Sequence, residues 1–463
     1  MATGSIRLDC LMLDRMISTV MNTMRDVTAD QAGGANGDKD AVDGQAESDG
    51  TLAGGSAPGL AGPDMWMADV SAVELDNVPM EQPSGGSFAT RTTFFVGFNV
   101  PEDKDMAGNH QMYVECFEPL SVVHQLSIIL IHGDWHTGQI WATKPDGQPG
   151  WASHFNYKGY RVYVVDLPGF GRSNSLLPDQ MQVQTPPPLP FNVERHLTAT
   201  ARPEYGGWDT AQMHDKWPGT GLQGDPVFDQ YYNSLVPMLI RKKDRQMMGQ
   251  KALGELLRRI GPSILIGQGT GATMAWLAAD IEPDLVASVV AVEPTGPPGC
   301  SHLPRGGSGS QGCILHHHQL HNRVRQFGIA DIPLTYDPPL EPDRGLDMMP
   351  VAPLGSDKGD QPCMLQHRAE NGFPKGPMSV WRPRQLVNLK KMPHLVVTGQ
   401  ASRHSTFDWA TVQFLLQTGL TVEHVKLQDF GLSGNGHLLF LEENSEQIAT
   451  LVTNWARACH GVA

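Results

Sequence analysis

The segment Ile264-Leu-Ile-Gly-Gln-Gly-Thr-Gly271, followed by Ala-Thr-Met-Ala-Trp-Leu-Ala, reads as a buried strand, a sharp turn and a helix. Its frame is that of the Gly-x-Ser-x-Gly turn, in which a strained central residue lifts a serine hydroxyl above a sheet. The central residue here is Gly269, which offers a hydrogen where a hydroxyl would stand. Glycine adopts the required backbone without strain, so such a turn can persist after the nucleophile is gone. Two other readings compete. One is an ordinary glycine-rich turn. The other is a dinucleotide loop, which needs a completed Gly-x-Gly-x-x-Gly and a ribose-binding acid after a strand, and neither is present.

Three further groups have the chemistry that such a turn works with. His132-Gly133-Asp-Trp-His-Thr-Gly138 follows an earlier apolar run, where the backbone N–H of Gly133 or Asp134 can pair with that of Thr270 as an oxyanion hole. Both donors are main-chain groups, so they do not depend on Gly269. His437, in Gly434-Asn-Gly-His437, stands where a triad base is expected. The acid that orients it is either Glu293 in Val292-Glu-Pro294 or Asp408 beyond Val396-Val-Thr-Gly399, and spacing alone leaves both open. Replacement hydroxyls are poor: Thr270 begins the helix and points away, and Ser433 is too close in sequence to His437 to attack beside it.

The elements that must position these residues are apolar runs without alternation, as expected for strands buried on both faces of a parallel sheet. They are Leu126 to Ile131, Arg161 to Val165, Ser263 to Ile266, Val286 to Val292, His394 to Val397 and Thr421 to Leu427. Thr93 to Val100 and Gln111 to Phe117 read as an antiparallel pair ahead of them. Helix-period segments lie at Gly271 to Asp280, Phe407 to Gln417 and Ser445 to Cys459. The alternation predicts a mostly parallel, doubly wound α/β sheet with helices on both faces. Two long insertions interrupt it, 174–245 and 294–385; loops of this length are usually lids or pocket walls. The first carries Trp217, Tyr231 and Tyr232, which with Trp135 are candidates for stacking on an aromatic ligand or for the insertion's own core.

Charge narrows the partners. The chain has 463 residues and a net charge of −15, of which residues 1 to 85, with fourteen acids and four bases, supply −10. Residues 1–87 read as a disordered acidic leader with a short helix over Leu8 to Met24, and 88–463 as the folded domain. A mildly acidic domain without basic runs excludes nucleic acid as a natural partner. No apolar stretch approaches the about 20 residues of a membrane helix. Charged residues Asp9, Asp14, Arg15 and Arg25 break up any signal sequence, so the cytoplasm is the default compartment. Cys300, Cys313 and Cys363 share one irregular region and can bridge only in an oxidising compartment. His316-His317-His318 lacks a nearby carboxylate and reads as a solvated loop, and neither metal nor cofactor is expected.

Residues 90 to 460 resemble the esterase 713-type family of the α/β-hydrolase fold. The resemblance rests on Pro145-Asp-Gly-Gln-Pro-Gly-Trp151, Gly159-Tyr-Arg-Val-Tyr-Val-Val-Asp166, Pro168-Gly-Phe-Gly-Arg-Ser173, Trp217-Pro-Gly-Thr-Gly221, Gly224-Asp-Pro226, Asp331-Ile-Pro-Leu-Thr-Tyr-Asp-Pro-Pro339, Gly434-Asn-Gly-His437 and Leu441-Glu-Glu-Asn444. It implies Glu293 as the acid, His437 as the base, the family's serine at Gly269, and a lid containing Trp217. The chain departs from it at the serine and at Asp134-Trp135, where some members carry neighbouring cysteines. The expectation is a non-catalytic protein that binds or orients a small molecule, aromatic or polyketide in kind. The resemblance permits a steering role in secondary metabolism, with a partner oxidase coupling phenols. The alternatives are a cofactor-free enzyme in which His437 and Glu293 act as general base, and a ligand-free scaffold. A homodimer is left open.

Overall fold

The apolar runs become strands of one sheet. A computed structural model describes residues 88–97, 110–173, 184–239, 241–299, 325–340, 345–351, 363–366 and 383–461. The leader and its expected helix, Cys300, Cys313, His316 to His318 and residues 174–183 lie outside the described residues. The strands are β1 (Phe88–Val96), β2 (Met112–Pro119), β3 (Ser127–Ile131), β4 (Val162–Asp166), β5 (Ser263–Gln268), β6 (Val286–Val292), β7 (Pro393–Thr398) and β8 (Thr421–Lys426). Their order is β1-β2-β4-β3-β5-β6-β7-β8. From β4 to β8 every pairing is parallel, while β1 and β2 join antiparallel. β1 spans Phe88–Val96, so it starts earlier and stops earlier than the run expected from Thr93 to Val100.

Every residue of β3, β4 and β5 is buried, which is why their sequences show no polar alternation. Helices α1 (Trp151–Tyr157), α2 (Pro226–Asn233), α3 (Lys242–Ile260), α4 (Thr270–Ile281), α5 (Asp408–Gln417) and α6 (Ser445–His460) complete the frame. α1 connects β3 to β4 in one direction along the sheet, and α4 connects β5 to β6 in the other. Right-handed crossovers therefore place them on opposite faces. α4 is buried along nearly its whole length, with Gly271 to Asp280 all inside. α3 begins within the boundary expected for the first insertion; its apolar positions, interleaved with Lys and Arg, concealed it in the sequence.

The first insertion is closed at its base where Gln184–Thr185 pairs antiparallel with Met238–Leu239. Asp225 caps α2 by accepting from the backbone N–H of Val227 and Phe228, with Pro226 at the first helical position. In the second insertion, Met348–Val351 pairs with Cys363–Gln366 and Tyr336–Asp337 with Gln385–Leu386. Cys363 is buried in that small sheet.

Candidate active site

The chain turns from β5 into α4 at Gly269, whose φ of 56° and ψ of −118° lie outside the range of ordinary side-chain-bearing residues. The turn is pinned to the end of β6: Gly269 N–H donates to Val292 O at 3.0 Å, and Thr295 N–H donates to Gly269 O at 3.1 Å. Strand and helix approach closely on either side. A Cβ on Gly267 would lie 2.4 Å from the Gly271 carbonyl carbon, and one on Gly271 would lie 2.3 Å from Ile131 O. At Gly269 the nearest atom to such a Cβ is Gly133 Cα, 4.0 Å away. Space for a side chain exists at this position and the sequence supplies none.

His437 is carried on the loop after β8 and is buried. Its Nδ1 lies 3.1 Å from Glu293 Oε2, and its Nε2 lies 2.9 Å from the Gln268 amide nitrogen. Glu293 extends directly from β6 at a φ of 48°. It also accepts from Gly399 N–H at 2.6 Å and from the Ser402 hydroxyl. Of the two acids left open by spacing, Glu293 therefore reaches the imidazole. Asp408 accepts from Thr398 Oγ1 at 2.8 Å and faces His404 Nδ1 at 3.2 Å instead. Burial pushes the Glu293 carboxyl up to about 8, with His404 pulling the other way. Burial also pushes His437 down to about 4, against the pull of Asp408 and Glu442. Both directions oppose an ion pair between the two.

The loop after β3 is fastened on several sides. His132 Nε2 accepts Leu167 N–H at 2.9 Å. Asp134 accepts from Thr270 Oγ1 at 2.9 Å and forms a buried ion pair with Arg245 of α3. The Thr270 hydroxyl is thus turned to Asp134, and Ser433 is exposed on its loop. Gly133 packs against Gln268: a Cβ there would meet Gln268 Oε1 at 2.2 Å. That oxygen is buried without a hydrogen-bond partner among the described residues.

Three of the four aromatic candidates have their polar atoms bonded within the first insertion and this loop, while Trp217 Nε1 is buried without a hydrogen-bond partner among the described residues. Trp135 is fully buried, with Nε1 donating to Pro186 O at 3.1 Å. Tyr231 OH bonds His136 Nε2 at 3.0 Å, and its ring meets Trp217 edge-on at 5.5 Å. Tyr232 OH donates to Pro188 O at 2.9 Å. Trp135, Trp217 and Tyr231 are buried and Tyr232 is partly buried. Sequence reasoning missed Gln268, Ser402 and His404. Gln268 stood inside the motif, and only its position beside Gly269 marked it; the other two carried no local signal.

Glu293, His404 and His437 place one ligand atom each within 4.8 Å of one another. The two imidazole rings, however, stack with centroids 4.8 Å apart at 19°. A single ion cannot lie in both nearly parallel ring planes, as coordination by both nitrogens requires, so the trio fits a hydrogen-bonded stack better than a metal site. Among the described residues, no helix is long and apolar enough to cross a membrane.

Comparison with known proteins gives four findings. A model described as "Alpha/beta hydrolase family" matches residues 128–451. A relative named "Probable secreted lipase phiG", from Fungal sp. (strain ATCC 74256), is 33% identical over 347 residues, covering 75% of this chain and 86% of that protein. The solved structure of a novel bacterial esterase is similar with a TM-score of 0.44 at 17% identity, covering 82% of this chain and 98% of that one. A thermophilic esterase from Thermogutta terrifontis gives a TM-score of 0.35 at 13% identity, covering 80% and 99%.

Proposed function

Because the chain belongs to the alpha/beta hydrolase family, we propose that it is a hydrolase-like protein that binds a small molecule and does not cleave esters. The observation that carries this reading is Gly269: the sharp turn and the room for a side chain are there, and a hydroxyl is not. Acyl transfer in this fold needs a hydroxyl whose proton passes to the histidine. The nitrogen that would receive that proton, His437 Nε2, is already engaged by the Gln268 amide. The lipase name of the relative would suggest lipid ester cleavage, but of the hydroxyls nearby in sequence Thr270 is turned to Asp134 and Ser433 is exposed while His437 is buried. Loss of a triad serine typically leaves only about 10³–10⁴-fold acceleration over water.

The buried, unpartnered Gln268 Oε1 supports a ligand or water at the turn over a bare scaffold. We take the ligand to be an aromatic or polyketide small molecule and the role to be auxiliary, steering the outcome of a reaction, such as a phenol coupling, run by a partner oxidase. The test is a panel of short esters and lactones together with phenolic ligands. The expected outcome is at most that residual acceleration, unaffected by His437→Ala, and a raised melting temperature with a phenolic ligand. Turnover that His437→Ala abolishes would replace this reading with general-base chemistry by His437 and Glu293. No turnover and no ligand effect would leave a scaffold.

A further inference from the structure

Asp408, the acid that follows β7, does not reach His437; it holds a second histidine that does. Asp408 Oδ1 lies 3.2 Å from His404 Nδ1, while its Oδ2 is fixed by Thr398 Oγ1 at 2.8 Å. The His404 ring lies against the His437 ring, centroids 4.8 Å apart and 19° from parallel. The same His404 Nδ1 is 3.7 Å from Glu293 Oε2. Its backbone N–H donates to Ser402 Oγ at 3.1 Å, and that hydroxyl donates to Glu293. Glu293, Ser402, His404, Asp408 and His437 are all buried. We propose that His404, held by Asp408, is a positioning residue: its ring is the shelf that sets the plane of the His437 imidazole, so that Nδ1 meets Glu293 and Nε2 meets Gln268.

One rotation of His437 would undo this geometry. His437 sits at the end of a glycine-rich loop, and turning its ring about the Cβ–Cγ bond would break both in-plane hydrogen bonds together. A hydrogen bond tolerates tens of degrees of such rotation before it weakens steeply. A buried flat ring packed nearly parallel on one face resists it directly, because interiors are close-packed. His404 can serve only if its own ring is fixed, and Asp408 fixes it. A carboxylate buried this completely is costly without a partner, so it has a partner for that reason alone; that the partner is the ring under His437 is what links it to the site. The shelf acts on the imidazole whether or not the protein turns over an ester.

The test is proton NMR of the full ¹⁵N-labelled chain. The hydrogen shared by His437 Nδ1 and Glu293 is expected far downfield, identified by its loss in His437→Gln. His404→Phe keeps a ring that Asp408 can no longer hold, and is expected to show faster exchange than wild type but slower than His404→Leu. His404→Leu, with circular dichroism and melting confirming the fold, is expected to exchange it with water about ten-fold faster or lose it. Asp408→Asn retains the volume and loosens the hold, and is expected to fall between wild type and His404→Leu; it also carries the test should His404→Leu fail to fold. An unchanged resonance and exchange rate in His404→Leu, or in Asp408→Asn if that variant alone folds, overturns the proposal. So does a wild-type protein with no downfield proton assignable to His437. Neither result touches the ester panel, which tests the non-catalytic reading separately.

Discussion

A methyl group added at Gly271 would lie 2.3 Å from the Ile131 carbonyl oxygen, whereas at Gly269 the nearest atom is 4.0 Å away. The two glycines are thus required for different reasons, one by packing and the other by a φ of 56°. Gly269→Ala is expected to cost about 1–3 kcal/mol, the usual strain of a side chain held in a sparsely populated backbone region. Gly271→Ala must move backbone and is expected to cost more. Urea midpoints measure both, and equal losses would mean that the space at Gly269 is not real. A hydroxyl placed there meets a second obstacle, since Gln268 occupies His437 Nε2. Gly269→Ser alone is expected to hydrolyse p-nitrophenyl acetate weakly, and Gly269→Ser with Gln268→Ala faster, because the imidazole is then free to accept the serine proton. A double variant slower than the single one would show that Gln268 supports the imidazole more than it blocks it.

Between elements, the loop that carries His437 is held by Glu442, which accepts from Gly436 N–H at 2.9 Å and from Asn435 Nδ2 at 2.7 Å. His214, from the first insertion, meets the same carboxylate at 2.8 Å. Asp215 N–H donates to Gly434 O at 3.2 Å nearby. His214→Ala is expected to cost about 1.5–3 kcal/mol, the range for a buried hydrogen bond to a charged group. Hydrogen exchange should rise in residues 198–216 and in 434–437 together; a rise confined to the insertion would count against coupling of the two loops. These links explain what the sequence concealed. Strands β3 to β7 were legible because burial on both faces writes a continuous apolar run, and the turn at Gly269 because strand–helix contact demands Gly267 and Gly271. The partnership of His214 with Glu442, or of Asp408 with His404, depends on how distant loops meet over the sheet, and no local pattern encodes that. The choice between Glu293 and Asp408 was open for the same reason.

At the scale of the whole molecule, several histidines are buried as neutral groups, and this gives stability a definite dependence on pH. Burial holds His394, His424 and His437 down to about 4 and lowers His124, His132, His136 and His460 as well. An unfolded histidine titrates near 6.5, so between that pH and 4 the unfolded chain takes up protons that the folded chain refuses. Stability must therefore fall as pH drops below about 6.5. Glu293, raised to about 8, acts in the opposite sense: above its unfolded value near 4.5 the unfolded chain releases a proton that the folded chain keeps, so stability falls as pH rises towards 8. Asp280 is shifted the same way by burial. Among the described residues, seven lowered histidines against two raised acids leave the acid side dominated by proton uptake, and the melting temperature is expected to peak near pH 6.5 with a steeper decline towards 4.5 than towards 8.5. His394 tests the assignment individually, because its Nε2 bonds the Leu389 carbonyl at 2.8 Å and glutamine can replace that donor. In His394→Gln the acid slope should shrink by the share of one proton, about 1.4 kcal/mol per pH unit. A melting temperature flat from pH 6.5 to 4.5, or a slope unchanged in that variant, would contradict the neutral burial of these side chains.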